Sequence, residues 1–88
     1  SNTIKYLKQN GYWIVGTDLK CEKTLFEIDL KMPIGLIIGS EGHGIRNNLR
    51  SACDFLIRIP MTGKLDSLNA SVSAGVLLYE IFRQKNLN

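Results

Sequence analysis

The chain is poor in the residues that mark many specialised sites. It has two cysteines, Cys21 and Cys53, and one histidine, His43, so no cluster has the ligand number or spacing of a zinc site, and no metal is expected. Two distant cysteines with no signal peptide before them predict reduced thiols in a cytoplasmic protein, not a disulfide framework. Long apolar runs are missing as well: none approaches the roughly 20 residues that cross a bilayer, so no membrane partner is expected. Charge is not gathered into blocks. Eleven Lys and Arg against eight Asp and Glu give a net charge of +3, scattered from Lys5 to Lys85. That surplus helps association with a polyanion, yet an ordinary solvated surface accounts for it equally well.

What is present is 88 residues, 44% hydrophobic and 22% charged, the composition of one globular unit without low-complexity sequence. A chain this short buries only about 60% of the surface its unfolded form exposes. It is therefore expected to need a partner or to be part of a larger domain.

Helical and strand-like segments alternate along the chain. Residues 3–10 place Ile4 and Leu7 apart from Lys5 and Lys8 and end at Gly11, which predicts a short surface helix with a glycine stop. Tyr12-Trp13-Ile14-Val15-Gly16 is aromatic and β-branched and reads as a buried strand. Residues 17–31 are expected to be mostly coil, with Leu25, Phe26, Ile28 and Leu30 in a short strand or a packed loop. After Pro33, residues 34–38 form a continuous apolar run, read as the central strand, covered on both faces. Ile45, Leu49, Ala52 and Cys53 recur at helical spacing and predict a helix over about 45–53. Residues 55–61 read as a further strand, ended by Pro60, which has no N–H to donate. Asp66-Ser67-Leu68-Asn69 can cap a long helix over 69–85. That helix carries Val72, Val76, Leu77, Leu78, Tyr79, Ile81 and Phe82 over most of its circumference, so it should be buried on more than one side, and a homodimer is expected. The fold class is α/β.

The chemistry concentrates at Gly39-Ser40-Glu41-Gly42-His43-Gly44, where an apolar strand breaks into a glycine-spaced turn. At the carboxyl edge of an α/β sheet this is a natural ligand site. The G-x-x-G-x-G spacing is neither the dinucleotide fingerprint nor a phosphate-binding loop ending in Gly-Lys-Ser/Thr. Glu41 argues further against phosphate, because an ionised carboxylate among the N–H groups repels it. A ligand with hydroxyls, an amine or another positive centre fits better. Plainer readings stand beside these. Glu41 at a helix N-terminus offsets the dipole for about 0.3–1 kcal/mol, and a lone histidine in a turn is usually solvated. Ser67 and Asn69 are helix caps by default, and the glycines can serve positive φ in a strand-to-helix turn.

Leu36-Ile37-Ile38-Gly39-Ser40-Glu41-Gly42-His43-Gly44-Ile45, then Cys53-Asp54, Ile59-Pro60-Met61 and Ser67-Leu68-Asn69-Ala70-Ser71-Val72-Ser73, in this order and spacing, closely resemble the second and third motifs of the SpoU (TrmH-like) branch of the SPOUT RNA ribose 2′-O-methyltransferases. Ser1-Asn2-Thr3-Ile4 and Gly11-Tyr12-Trp13-Ile14-Val15-Gly16-Thr17-Asp18 resemble the bacterial subgroup that methylates a guanosine ribose of large-subunit (23S) ribosomal RNA. The resemblance covers essentially the whole chain. It implies a parallel-sheet SPOUT fold with a carboxyl-terminal trefoil knot, an exception to the rule against knots. It implies an S-adenosylmethionine pocket built by the loops after Gly39 and Ile59 and the loop reaching Leu68. Gly39, Ile59 and Leu68 are then cofactor-binding candidates, and Glu41, Ser67 and Asn69 the catalytic ones, near the reacting ribose. A sulfonium cofactor without phosphate agrees with the reading of Glu41.

The family's first motif, an asparagine followed by Gly-x-x-x-Arg on an early helix, is absent. Its arginine is thought to assist removal of the hydroxyl proton, and Arg46, Arg50 and Arg58 do not replace it. Residues 1–88 therefore read as the carboxyl-terminal half of a methyltransferase domain, expected to have little or no activity alone. The competing expectations are a non-catalytic RNA-binding or dimerisation module, a tRNA ribose methyltransferase, and a nucleotide-binding α/β fragment.

Overall fold

A computed structural model describes residues 2–18, 20–39, 47–60 and 70–86. Six elements follow one another: α1 (Asn2–Gln9), β1 (Trp13–Thr17), β2 (Ile34–Ile37), α2 (Asn47–Ala52), β3 (Phe55–Ile57) and α3 (Ala70–Asn86). The strands form a parallel sheet in the order β2-β1-β3. The α/β parallel architecture agrees with the expectation from sequence. No described helix is long and apolar enough to cross a membrane.

The first helix ends as its glycine requires. Gly11 has φ 85°, the Tyr12 N–H reaches the Leu7 carbonyl at 3.0 Å, and the Gly11 N–H reaches Lys8 at 3.2 Å. This bond pair satisfies helix-end carbonyls and turns the chain into β1. The α1 side of the sheet is tight at Gly35, where an added Cβ would lie 3.0 Å from Ile14 Cδ1 and 3.2 Å from Leu7 Cδ1.

On β1, alternate residues face opposite sides, and Ile14, Val15 and Gly16 are all buried. Val15 joins Leu25, Leu30, Ile57 and Leu77 in the main core, with Ile34, Leu36, Phe55, Ile59 and Ile81 packed around it. The 34–38 run is thus not the central strand among those described. That place belongs to β1, and the residues of β2 are half-buried. Both runs are apolar, so composition could not tell which is paired on both sides; the return of the chain after α2 puts β3 against β1.

The 20–33 segment is a packed loop anchored to strand 3's exit by a Thr24–Arg58 bridge, and it delivers Leu25 and Leu30 to the core. Its partner α3 differs from the expectation of burial on several sides. Ser73, Leu77, Glu80 and Gln84 form one buried stripe, while Val72, Val76, Leu78, Tyr79 and Phe82 are exposed. Three of these four are polar, and Gln84 serves the loop backbone: its Oε1 accepts the Leu30 N–H at 2.7 Å and its Nε2 donates to the Ile28 carbonyl at 3.2 Å. Glu80, 4% exposed, accepts from Gln84 at 2.9 Å and from Arg83 at 2.8 and 2.9 Å. Burial raises the affinity of that carboxyl for a proton, but the Arg83 bonds, helped by Gln84, outweigh it and hold Glu80 below the usual carboxylate range.

Candidate functional site

The carboxyl ends of the three parallel strands define one edge, where ligands of open α/β sheets bind. The central strand ends at Thr17, in register with Ile57 of β3, one step beyond the Gly16–Ile37 pair with β2. Gly39 leaves β2 on one side of this end, and Ile59 leaves β3 on the other. Both are half-buried. These two cofactor candidates therefore flank the end of β1. The other four candidates, Glu41, Ser67, Leu68 and Asn69, lie outside the described residues, as does His43.

A set of polar groups to which the sequence assigned no site role holds this edge together. The Thr17 hydroxyl oxygen accepts the Gly39 N–H at 3.2 Å. The Asp18 N–H donates to the Ile57 carbonyl at 2.9 Å. One Asp18 carboxylate oxygen accepts the Lys20 N–H at 3.0 Å, and the other pairs with the Arg50 guanidinium. Burial pushes the Asp18 carboxyl up, yet the Lys20 N–H and Arg50 together hold it below its ordinary value. Arg50 comes from α2, so this pair ties the helix that follows the glycine turn to the end of the central strand. The sequence signals for Thr17 and Asp18 were their place at a strand end and in the subgroup motif; neither told of these bonds.

At the opposite end of β1, Asp54 joins β3 to the centre: its Oδ2 accepts the Ile14 N–H at 2.7 Å, and its own N–H donates to the Ile14 carbonyl at 2.7 Å. Trp13 stacks on Phe55 with ring centroids 5.8 Å apart. The cysteines are free thiols, as expected. Cys21 donates to the Leu56 carbonyl at 2.8 Å, and burial pushes the Cys53 thiol up, so it is held as the neutral, unreactive form.

The donor set fits a ligand bound by backbone and apolar groups. The Gly39 N–H is held by the Thr17 hydroxyl, which fixes the backbone there, Ile38 and Ile59 offer half-buried apolar side chains, and Arg50 is already engaged by Asp18. That set is compatible with the nucleoside part of S-adenosylmethionine.

Comparison with known proteins leads the same way. A relative from Pseudomonas aeruginosa, the 23S rRNA (guanosine-2′-O-)-methyltransferase RlmB, is 49% identical over 85 residues, which are 97% of this chain and 34% of that protein. The crystal structure of the SpoU methyltransferase AviRb from Streptomyces viridochromogenes, in complex with the cofactor AdoMet, superposes with a TM-score of 0.88 at 33% identity, covering 99% of this chain and 36% of that one. A crystal structure of an RNA 2′-O ribose methyltransferase superposes with a TM-score of 0.87 at 38% identity, covering 96% of this chain and 33% of that one. The chain thus spans about a third of the length of these relatives. The sequence profile of the SpoU rRNA Methylase family matches residues 1–79. With motifs, sheet and profile in agreement, the chain belongs to the SpoU rRNA methylase family.

Proposed function

We propose that this chain is the cofactor-holding, carboxyl-terminal part of an S-adenosylmethionine-dependent RNA ribose 2′-O-methyltransferase, acting on a guanosine of 23S ribosomal RNA. The observation that carries this reading is the position of Gly39 and Ile59 on either side of the central strand's carboxyl end. The RNA class rests on the subgroup motifs and on the substrate printed in the name of the Pseudomonas relative.

When bound, S-adenosylmethionine supplies an electrophilic methyl on a sulfonium. Gly39, Ile59 and Leu68 would hold it, mainly by backbone groups. Glu41, Ser67 and Asn69 would position the reacting ribose near its methyl group, and positioning of this kind supplies much of the acceleration. The 2′-hydroxyl proton needs an acceptor, and the family's first-motif arginine, absent from residues 1–88, would be the group to assist its removal. The carboxyl-terminal trefoil knot, the homodimer and the cytoplasmic location belong to the same proposal. The homodimer is supported by the exposed apolar residues of α3, among them Val76, Leu78, Tyr79 and Phe82.

The test is calorimetry with S-adenosylhomocysteine on the full native protein that contains this sequence. The wild type is expected to bind, and Leu68→Arg to abolish binding while the protein stays folded. Absence of binding by the wild type would overturn the assignment in favour of a non-catalytic module.

A further inference from the structure

The end of β1 bonds to the chain leaving both of its neighbours. On one side the Thr17 hydroxyl takes the Gly39 N–H at 3.2 Å. On the other, Thr17 is in register with Ile57, and the next N–H, that of Asp18, donates to the Ile57 carbonyl at 2.9 Å, two residues before Ile59. The spacing of Gly39 and Ile59 is therefore set across one dipeptide. The second half of that dipeptide is itself fixed, since the Asp18 carboxylate is held by the Lys20 N–H and by Arg50 of α2.

The main core does not need the Thr17 hydroxyl. That core is made by Val15, Leu25, Leu30, Ile57 and Leu77, while Thr17 is only half-buried. Valine has the same shape and an equal or greater preference for strands. What valine lacks is an acceptor for the Gly39 N–H, and without one that peptide is free to turn.

We propose that Thr17 is a positioning residue for the cofactor site: its hydroxyl fixes the peptide plane at Gly39, and with Asp18 it sets the gap between the Gly39 and Ile59 walls. This rests on the reading of Gly39 and Ile59 as cofactor contacts. Thr17 itself does not touch the reacting atoms.

The experiment compares wild type, Thr17→Val and Thr17→Ser in the full native protein. It measures S-adenosylhomocysteine affinity by calorimetry, melting of the free protein, and the KM for S-adenosylmethionine against kcat. Thr17→Val should weaken S-adenosylhomocysteine about tenfold, the size of one lost hydrogen bond. It should raise KM in parallel while kcat stays within about twofold, the signature of lost ground-state binding. Melting of the free protein should be nearly unchanged, and Thr17→Ser should restore affinity. Equal affinity of wild type and Thr17→Val would overturn the proposal, as would a Thr17→Ser variant as weak as Thr17→Val, because a methyl contact would then be responsible. Lowered melting with unchanged affinity would assign the hydroxyl to the fold alone and overturn it too. A wild type that binds no S-adenosylhomocysteine would instead remove the reading on which the proposal stands.

Discussion

Two polar clusters divide the molecule's hydrogen bonds between different tasks. On α3, Glu80 and Gln84 are buried, and with Arg83 they are bonded to one another and to the 28–30 backbone. At the sheet's carboxyl edge, Thr17 and Asp18 are half-buried and bond to chain that is leaving the sheet. The first cluster closes a core, whereas the second fixes where the chain departs. A buried polar group is costly to leave unpaired, and a half-exposed one can turn to water. The α3 cluster should therefore dominate stability, and the edge should matter more for geometry than for folding energy.

The sharpest way to break this contrast is Gln84→Leu. It leaves the Leu30 N–H and the Ile28 carbonyl without the side chain that serves them and takes one donor from Glu80. The expected loss is about 2–4 kcal/mol in urea unfolding, since each buried orphan costs about 1–3 kcal/mol. A loss below about 1 kcal/mol would mean that the loop finds other partners and that the cluster is not a staple.

Glu80→Gln should cost about 1–2 kcal/mol near neutral pH by removing the charge from a paired carboxylate. Here pH supplies a second test. The folded-state pKa of Glu80 lies below its ordinary value of 4.5, so the fold favours the ionised form. That stabilisation is fully present above the ordinary value and disappears as pH falls through the folded one. Wild type and Glu80→Gln should therefore converge in acid below pH 4.5. A constant gap from pH 7 to pH 3 would show that charge is not what Arg83 and Gln84 recognise in Glu80.

The contrast also explains what the sequence made legible. Helices and strands announced themselves through apolar runs, and Gly11 marked its helix end because its positive φ is a local matter. The order β2-β1-β3 was hidden because the 13–15 and 34–38 runs are equally apolar, and pairing on a strand's second side depends on where distant chain returns. The polar residues of the α3 stripe were hidden for a related reason. Hydropathy counts apolar residues, whereas Gln84 is buried with bonds to residues more than fifty positions away, and Glu80 is buried beside it, bonded to Arg83 and Gln84. At the candidate site, resemblance named Gly39 and Ile59, which flank β1, and placed Thr17 in a subgroup motif without a role, because the bonds of Thr17 and Arg50 exist only once the strands are aligned.

The smallest expected effect is at the edge, in Arg50→Met. The Arg50 side chain is 39% exposed and that of Asp18 is 13% exposed, so solvent screens the pair on the arginine side and removing it should cost about 1 kcal/mol or less. Some loss remains, because Asp18 keeps its charge in a sheltered place where, among the described residues, only the Lys20 N–H still donates to it. Its carboxyl, now held below its ordinary value of 3.8, should rise in the variant. Since the stabilisation is present above that value and lost as pH falls through the lower, folded one, the two proteins should become equally stable under strong acid. Urea unfolding of the full protein at pH 7 and pH 3 reads both effects. If Arg50→Met costs as much at pH 7 as Gln84→Leu, the edge is as structural as the α3 cluster and the division between them fails. If it costs little, Asp18 and Arg50 place α2 against the end of β1 without carrying the fold.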